Sequence, residues 1–290
     1  MATATALARP RLSTRTRRRL GKVAAYVALA PISLVALVPL VWMLSTALKS
    51  DEQLYLWPPQ WIPTPIMWEN FPRAWTYAPF STYLRNTLTI TLLALVGQML
   101  SASVVAYGFA RLRFPGRDFL FMVLLATLML PNAVTLIPTY LLFRTLGWID
   151  TFYPMIVPAY FGGSAFYVFL LRQFFRSIPM ELSDAAKIDG CSNLGTLFRI
   201  VMPLAKPALA TVAIFSFMNN WNDFLRPLIY LNSQANLTLT VGLQSFMLDY
   251  RLLVQYLMAV SAVMTLPVIV IFFVAQRYFI QGMILSGMKG

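Results

Sequence analysis

The sequence holds no histidine and a single cysteine, Cys191, in 290 residues. The first absence removes the commonest metal ligand and general base, so histidine-dependent hydrolysis is excluded. The second excludes an internal disulfide framework. Charge is scarce too: 11% of residues are charged, against about 25% in a typical soluble domain. Acids are the scarcer sign, 10 Asp and Glu against 23 Lys and Arg, for a formal net charge of +13. Apolar residues stand in their place, at 59% of the chain with a mean hydropathy of +0.67, so the chain reads as an integral membrane protein.

Stretches without charge mark the spans. Between Lys22 and Lys49 lie 26 uncharged residues, about 39 Å of helix against a hydrocarbon core of about 30 Å. Comparable gaps place helices at about 23–48, 86–110, 119–143, 151–171 and 252–276. A sixth, at 203–222, reaches membrane length only if Pro203 to Ala205 join it and Lys206 snorkels to the surface. The predicted fold is therefore all-α, six transmembrane helices over residues 23–290 preceded by a basic cytoplasmic tail at 1–22. Arg17 to Arg19 resemble the basic region of an export signal, but the apolar run after them far exceeds the roughly 7 to 15 residues of a cleavable one, so it is read as the first span.

Six spans put both termini on one side. With them inside, the inner segments carry 17 of the 23 basic residues and four acids, Asp118, Glu181, Asp184 and Asp189, while the outer segments hold six of each sign. The whole excess of positive charge then lies on the cytoplasmic face, as the positive-inside rule requires, and nothing remains to argue for nucleic acid. All seven tryptophans fall in an outer loop or the outer half of a span, where interfacial anchoring explains most of them.

No Asp, Glu, Lys or Arg interrupts the five long spans, so the ionisable relay of a proton-coupled transporter is missing. Prolines at 131, 138, 154, 158 and 267 read as kinks between packed helices, and Gly162-Gly163-Ser164 as close contact or local unwinding. Gly190 to Gly195 has the glycine spacing of a phosphate loop, but Thr196 and Leu197 stand where Lys and Ser/Thr belong, so ATP is not bound that way.

The longest inner loop, Arg172 to Lys206, carries the information. Pro179, Glu181 and Asp184 suit the start of a short helix and Gly190 its stop. Ser192 can cap a second helix. The small side chains of Ala185 and Ala186 let another surface approach the backbone closely. On these features alone an amphipathic connector and a docking element stand equal. Asp184-Ala185-Ala186, three residues, Gly190, nine residues and Ile200-Val201-Met202-Pro203 resemble the EAA loop of binding-protein-dependent ABC importers. Asp184 and Met202 depart from that pattern, where Glu and Leu are usual. Ala106 to Gly116, Ile188 to Gly190, Trp221 to Phe224, Gln276 to Gly282 and the closing Gly287 to Gly290 extend the resemblance to the second permease of maltose-type sugar importers.

The resemblance implies a permease subunit that is not an enzyme, forming half of a translocation pathway for a sugar or related polyol in a bacterial or archaeal cell membrane. It implies as partners a second homologous permease, two cytoplasmic ATPase subunits and an external solute-binding protein, in addition to membrane lipid. No cofactor belongs to this chain; ATP and Mg would act on the ATPase subunits. The ATPase-coupling residues are then Glu181, Asp184, Ala185, Ala186, Asp189 and Gly190, and the final glycine-rich tail either reaches toward the ATPases or frays. Asn219, Asn220, Asn222 and Gln244 are candidates for the substrate path by polarity and position. The outer loop Ser50 to Leu84, with six prolines and four tryptophans, is either a docking surface for the binding protein or a lid over its own bundle. The rival readings are a self-contained secondary transporter or channel, and a membrane scaffold that moves nothing.

The charge asymmetry makes a direct prediction. In a Cys191→Ser background, cysteines placed singly at Ser13, Ser192 and Ser286 should resist a membrane-impermeant thiol reagent in intact cells, and one at Thr64 should label. Labelling of position 192 from outside would invert the topology.

Overall fold

A computed structural model describes the backbone of residues 14–247 and 253–287, with side chains at 14–20, 24, 275 and 277–287 excepted. Most of the basic tail, Asp249, Arg251 and the last three residues lie outside the described residues. Every regular element among the described residues is helical. The main helices are α1 (Thr14–Ala47), α2 (Phe80–Arg111), α3 (Arg117–Ala126), α4 (Asn132–Thr145), α5 (Ala165–Ser177), α6 (Glu181–Ile188), α7 (Lys206–Trp221) and α8 (Val254–Gly287). Four described segments are long and apolar enough to cross a membrane, or six if each of two bent helix pairs counts as one span.

The axis of the bundle is α2, 32 residues without a proline. It packs against α5 and α7, and α8 joins α7 to α1. Small residues allow this approach: Ala94, Ala102 and Ala106 are fully buried on α2, and a Cβ on Gly97 would lie 2.5 Å from the Tyr160 ring. Close backbone approach of this kind replaces the hydrophobic drive that lipid cannot supply. One core, around Tyr107, Tyr167, Leu171, Phe175, Leu197 and Val212, sits toward the Arg111 end of α2. A second, around Phe80, Tyr83, Phe217, Trp221 and Phe246, sits toward the Phe80 end, where Phe80 stacks on Phe246 with ring centroids 5.3 Å apart.

Three of the six expected spans are not continuous helices. The third breaks between α3 and α4 with a bend of 99°. Leu130 (ψ 116°) and Pro131 (ψ 136°) are extended there, because the proline ring disfavours helical backbone before it. The fourth pauses at Gly162 (φ 92°) and Gly163 (φ 57°) before α5 begins. The fifth, expected at 203–222, turns 87° at Ala205. Pro203 to Ala205 therefore belong to the preceding loop, and α7 by itself is 16 residues, about 24 Å long. Trp221 is also not an interfacial anchor. It is 1% exposed, stacks on Phe217 at 5.4 Å, and donates its indole N–H to the carbonyl oxygen of Met264 on α8 at 3.1 Å.

At the Phe80 end of the bundle, Asp150 ties two loops together. Its carboxylate accepts from the backbone N–H groups of Asn232 and Ser233 at 2.9 Å and from the Ser233 hydroxyl. Its own N–H donates to the Tyr230 carbonyl at 2.7 Å. The hydrogen bonds from Ser233 and Asn232 hold the carboxyl well below the usual carboxylate range, so its stabilising contribution is complete above about pH 4 and is lost as pH falls further. Asp150→Asn keeps a residue tolerant of the observed φ of 60° but removes the charge. The variant should melt about 2–4 °C below wild type at pH 7, and the difference should shrink as pH is lowered below about 4. A difference that grows on acidification would contradict the assignment.

Candidate functional site

Helix α6 owes its form to its ends. Glu181 and Asp184 lie in its first turn and Lys187 in its last, which suits the positive and negative poles of a helix. Beyond it, Gly190 has φ 77°, the Gly190 N–H donates to Lys187 O at 3.0 Å and the Cys191 N–H to Ala186 O at 2.8 Å. This is the paired closure that a left-handed residue makes at a helix end, and glycine adopts that conformation without Cβ strain. Ser192 starts the next turn, its hydroxyl accepting from the Gly195 N–H at 3.1 Å. The second half of the loop continues as a π-helical turn at Leu197–Val201.

The two alanines of the loop face opposite ways. Ala186 is 4% exposed and, with Ser183, is buried within this chain, the helix packing on the turn Asn193–Thr196. Ala185 is exposed, as are Glu181, Asp184, Asp189 and Gly190. The surface open to another protein is therefore Ala185 and its neighbours, and the expectation that both alanines admit a partner is corrected at Ala186. Leu182 and Ile188 extend that surface, Ile188 being 87% exposed. With Ala185 they recur at intervals of three, an apolar ridge along one helix face. That spacing was present in the sequence, although the motif drew attention to the alanines alone.

The loop is fastened by arginines from the spans. Arg111, the last residue of α2, is 5% exposed. Its Nη2 donates to the carbonyl oxygens of Phe175 at 2.7 Å and Ile178 at 2.6 Å. Its Nη1 donates to Pro179 O at 3.3 Å and to Met180 Sδ at 2.7 Å. Among these acceptors, the Phe175 carbonyl also receives the Ile178 N–H at 3.4 Å, and the Ile178 carbonyl, just past the end of α5, is one that a helix terminus leaves without a helical partner. One turn back, Tyr107 is buried in the same core as Leu197 and Val201 of the second half of the loop. Arg172 on α5 donates its Nε–H to Phe109 O at 3.3 Å and lies 3.9 Å from the centre of the Phe121 ring. Sequence reading gave Arg111 only the role of an inner-face charge, because its acceptors are more than 60 positions away.

The four polar candidates do not form one cluster. Asn219 donates to the Tyr167 hydroxyl at 2.8 Å, joining α7 to α5. Asn220 is buried and donates to Ser216 O at 2.7 Å, while its carbonyl accepts from Arg226 at 3.2 Å. Ser216 in turn meets Gln98 on α2. Asn222 is exposed and donates to Met218 O at 2.9 Å. Gln244 lies apart, exposed on the 3-10 turn Leu243–Phe246. Asn219, Asn222 and Phe215 share the exposed side of α7, with Phe166 of α5 against Phe215 at 6.1 Å.

Comparison with known proteins matches this architecture. Residues 98–285 fit the family model described as the inner membrane component of binding-protein-dependent transport systems. The chain is 36% identical over 229 residues to the arabinooligosaccharides transport system permease protein of Halalkalibacterium halodurans, covering 79% of this chain and 81% of that one. It is 30% identical over 282 residues to the maltodextrin transport system permease protein of Bacillus subtilis, covering 96% and 100% respectively. Among solved structures it is similar to a chain in the crystal structure of a bacterial ABC transporter involved in the import of the acidic polysaccharide alginate. There the TM-score is 0.80 and the identity 26%, over 93% of this chain and 100% of that one. This chain belongs to the family of inner membrane components of binding-protein-dependent transport systems, and is a multi-pass permease of the ABC importer type.

Proposed function

We propose that this chain forms half of the translocation pathway for a sugar or related polyol, paired with a second homologous permease, and performs no covalent chemistry itself. Two cytoplasmic ATPase subunits bind ATP and Mg and seat α6. An external solute-binding protein delivers the ligand to the opposite face. The sugar class is supported by relatives named for arabinooligosaccharides and maltodextrin, and the orientation by the 17 basic residues of the inner segments. On the outer side, part of the 50–84 loop folds back on the bundle, with Trp61 edge-on to Trp42 at 5.1 Å. Trp57, 89% exposed, and the exposed Ile62 and Trp68 point away from the bundle as rings and chains open to the binding protein.

The observation that carries the coupling role is the ridge Leu182, Ala185 and Ile188, exposed on a helix whose other face is seated by Ser183 and Ala186. An apolar ridge flanked by Glu181, Asp184 and Lys187 suits a cleft on another protein, with the charges at its rim. ATP binding and release would move the seated helix and shift the bundle between outward-open and inward-open packings. On the pathway side, Asn219 and Asn222 share an exposed face with Phe215, which meets Phe166, a combination of amides and rings suited to sugar hydroxyls and apolar sugar faces.

Ala185→Arg tests this reading. A long cation in the ridge should reduce ATPase co-purification at least tenfold while expression and membrane insertion persist, because Ala185 is exposed and its replacement creates no internal clash. Gly190→Pro should abolish uptake, since proline cannot take a φ of 77°. An Ala185→Arg complex that retains its ATPase and ligand-stimulated hydrolysis would reduce α6 to a connector. ATP-independent uptake by the chain reconstituted alone would instead favour a self-contained transporter.

A further inference from the structure

Helix α2 differs from the spans around it. The apolar stretches that precede α4, α5 and α7 are broken or bent, and α1, α4 and α8 contain internal prolines. By contrast, α2 runs 32 residues unbroken, about 48 Å. Both of its ends grip loops by hydrogen bonds. At one end Arg111 holds residues 175–180 through four acceptors and Tyr107 packs in one buried core with Leu197 and Val201. The loop is thus clasped on either side of α6. At the other end, Asn86 Nδ2 donates to the carbonyls of Ala235 at 2.8 Å and Leu237 at 2.9 Å, and the Thr87 hydroxyl accepts from the Leu239 N–H at 2.9 Å. The segment so held adjoins Ser233 and Asn236, which Asp150 ties to the loop after α4.

We propose that α2 is the rigid element that transmits movement of the α6 loop to the 235–239 loop on the opposite face, with Arg111 and Asn86 as the positioning residues that fasten its two ends. The inference rests on the reading of α6 as the ATPase-coupling helix and adds the route by which it is read out. Arg111 suits this task because a guanidinium presents several donors in a rigid fork, so the loop cannot tilt without carrying the end of α2 with it. An ammonium on a flexible stem would hold the same carbonyls less firmly. A chain of discrete, geometry-dependent contacts joined by a stiff helix is the physical form that coupling between distant sites takes.

The test uses the whole importer, this chain with its partner permease, ATPases and binding protein, in proteoliposomes. Arg111→Met keeps the stem volume and removes the donors, Arg111→Lys keeps the charge and donors but loses the rigid fork, and Asn86→Leu acts about 37 Å away along α2. In Arg111→Met and Asn86→Leu, the ratio of ligand-stimulated to basal ATP hydrolysis should fall about tenfold, within the usual range of coupling between sites. Uptake should fall with it while the ATPase subunits co-purify as in wild type. Arg111→Lys should recover part of the ratio. The Asn86 variant keeps the experiment decisive if the α6 loop collapses without Arg111, because it leaves that loop untouched. A wild-type ratio in Asn86→Leu, or basal and stimulated hydrolysis falling in parallel in both variants, would overturn the proposal. Failure of the wild-type chain to retain any ATPase would instead refute the coupling role of α6.

Discussion

Inside a membrane every backbone N–H and C=O must find a partner within the protein, and the arrangement of this chain follows from that constraint. Three of its apolar runs break; two do so against the bundle, at Gly163 beside Ser101 and Gln98 and at the fully buried Ala205, while Leu130 at the third break is exposed. The Ser101 hydroxyl donates to the carbonyl of Ala159 at 2.7 Å beside the Gly162–Gly163 pause. The Tyr167 and Val168 N–H groups return to Ser164 O at 2.9 and 3.1 Å as α5 resumes. The Trp221 indole takes the Met264 carbonyl in the turn preceding Pro267. The fourth and fifth runs lean on the unbroken α2, which supplies a wall of small and polar side chains.

The same requirement explains the arginine at the end of α2. Helix α5 ends at Ser177, and its last carbonyls have no helical partners. A buried guanidinium supplies several donors to them at once, and the carbonyl dipoles there favour its charge. The arrangement holds α5, α6 and α2 in one relative geometry, as the proposed coupling role requires. Under that proposal, stability and transmission would depend on the same contacts.

Much of the coupling loop was legible in local sequence. The helix at Glu181–Ile188, the left-handed Gly190 and the Ser192 cap all follow from preferences acting over four or five residues. The orientation of the two alanines was not, since which of these neighbours is exposed and which is buried depends on which face the helix turns toward the rest of the chain. Trp221 misled for a similar reason. Its place at the end of a span suggests an interfacial ring, whereas α8 and Phe217 cover it. The asparagines looked alike by polarity, but packing separates the buried Asn220 from Asn219 and Asn222 on the exposed side of α7.

What the sequence by itself determined is what depends on composition and short-range order. Low charge and long apolar runs specify a helical membrane protein, because only helices satisfy the backbone within a single segment. The spacing from Asp184 to Pro203 marks the family. Tertiary structure alone decided where apolar runs bend, which face of α6 is seated, and that Arg111 reaches carbonyls more than 60 residues away. Those features arise from contacts between distant segments, whose partners no local pattern names, and they exist only once α2 has brought the ends of the other helices together.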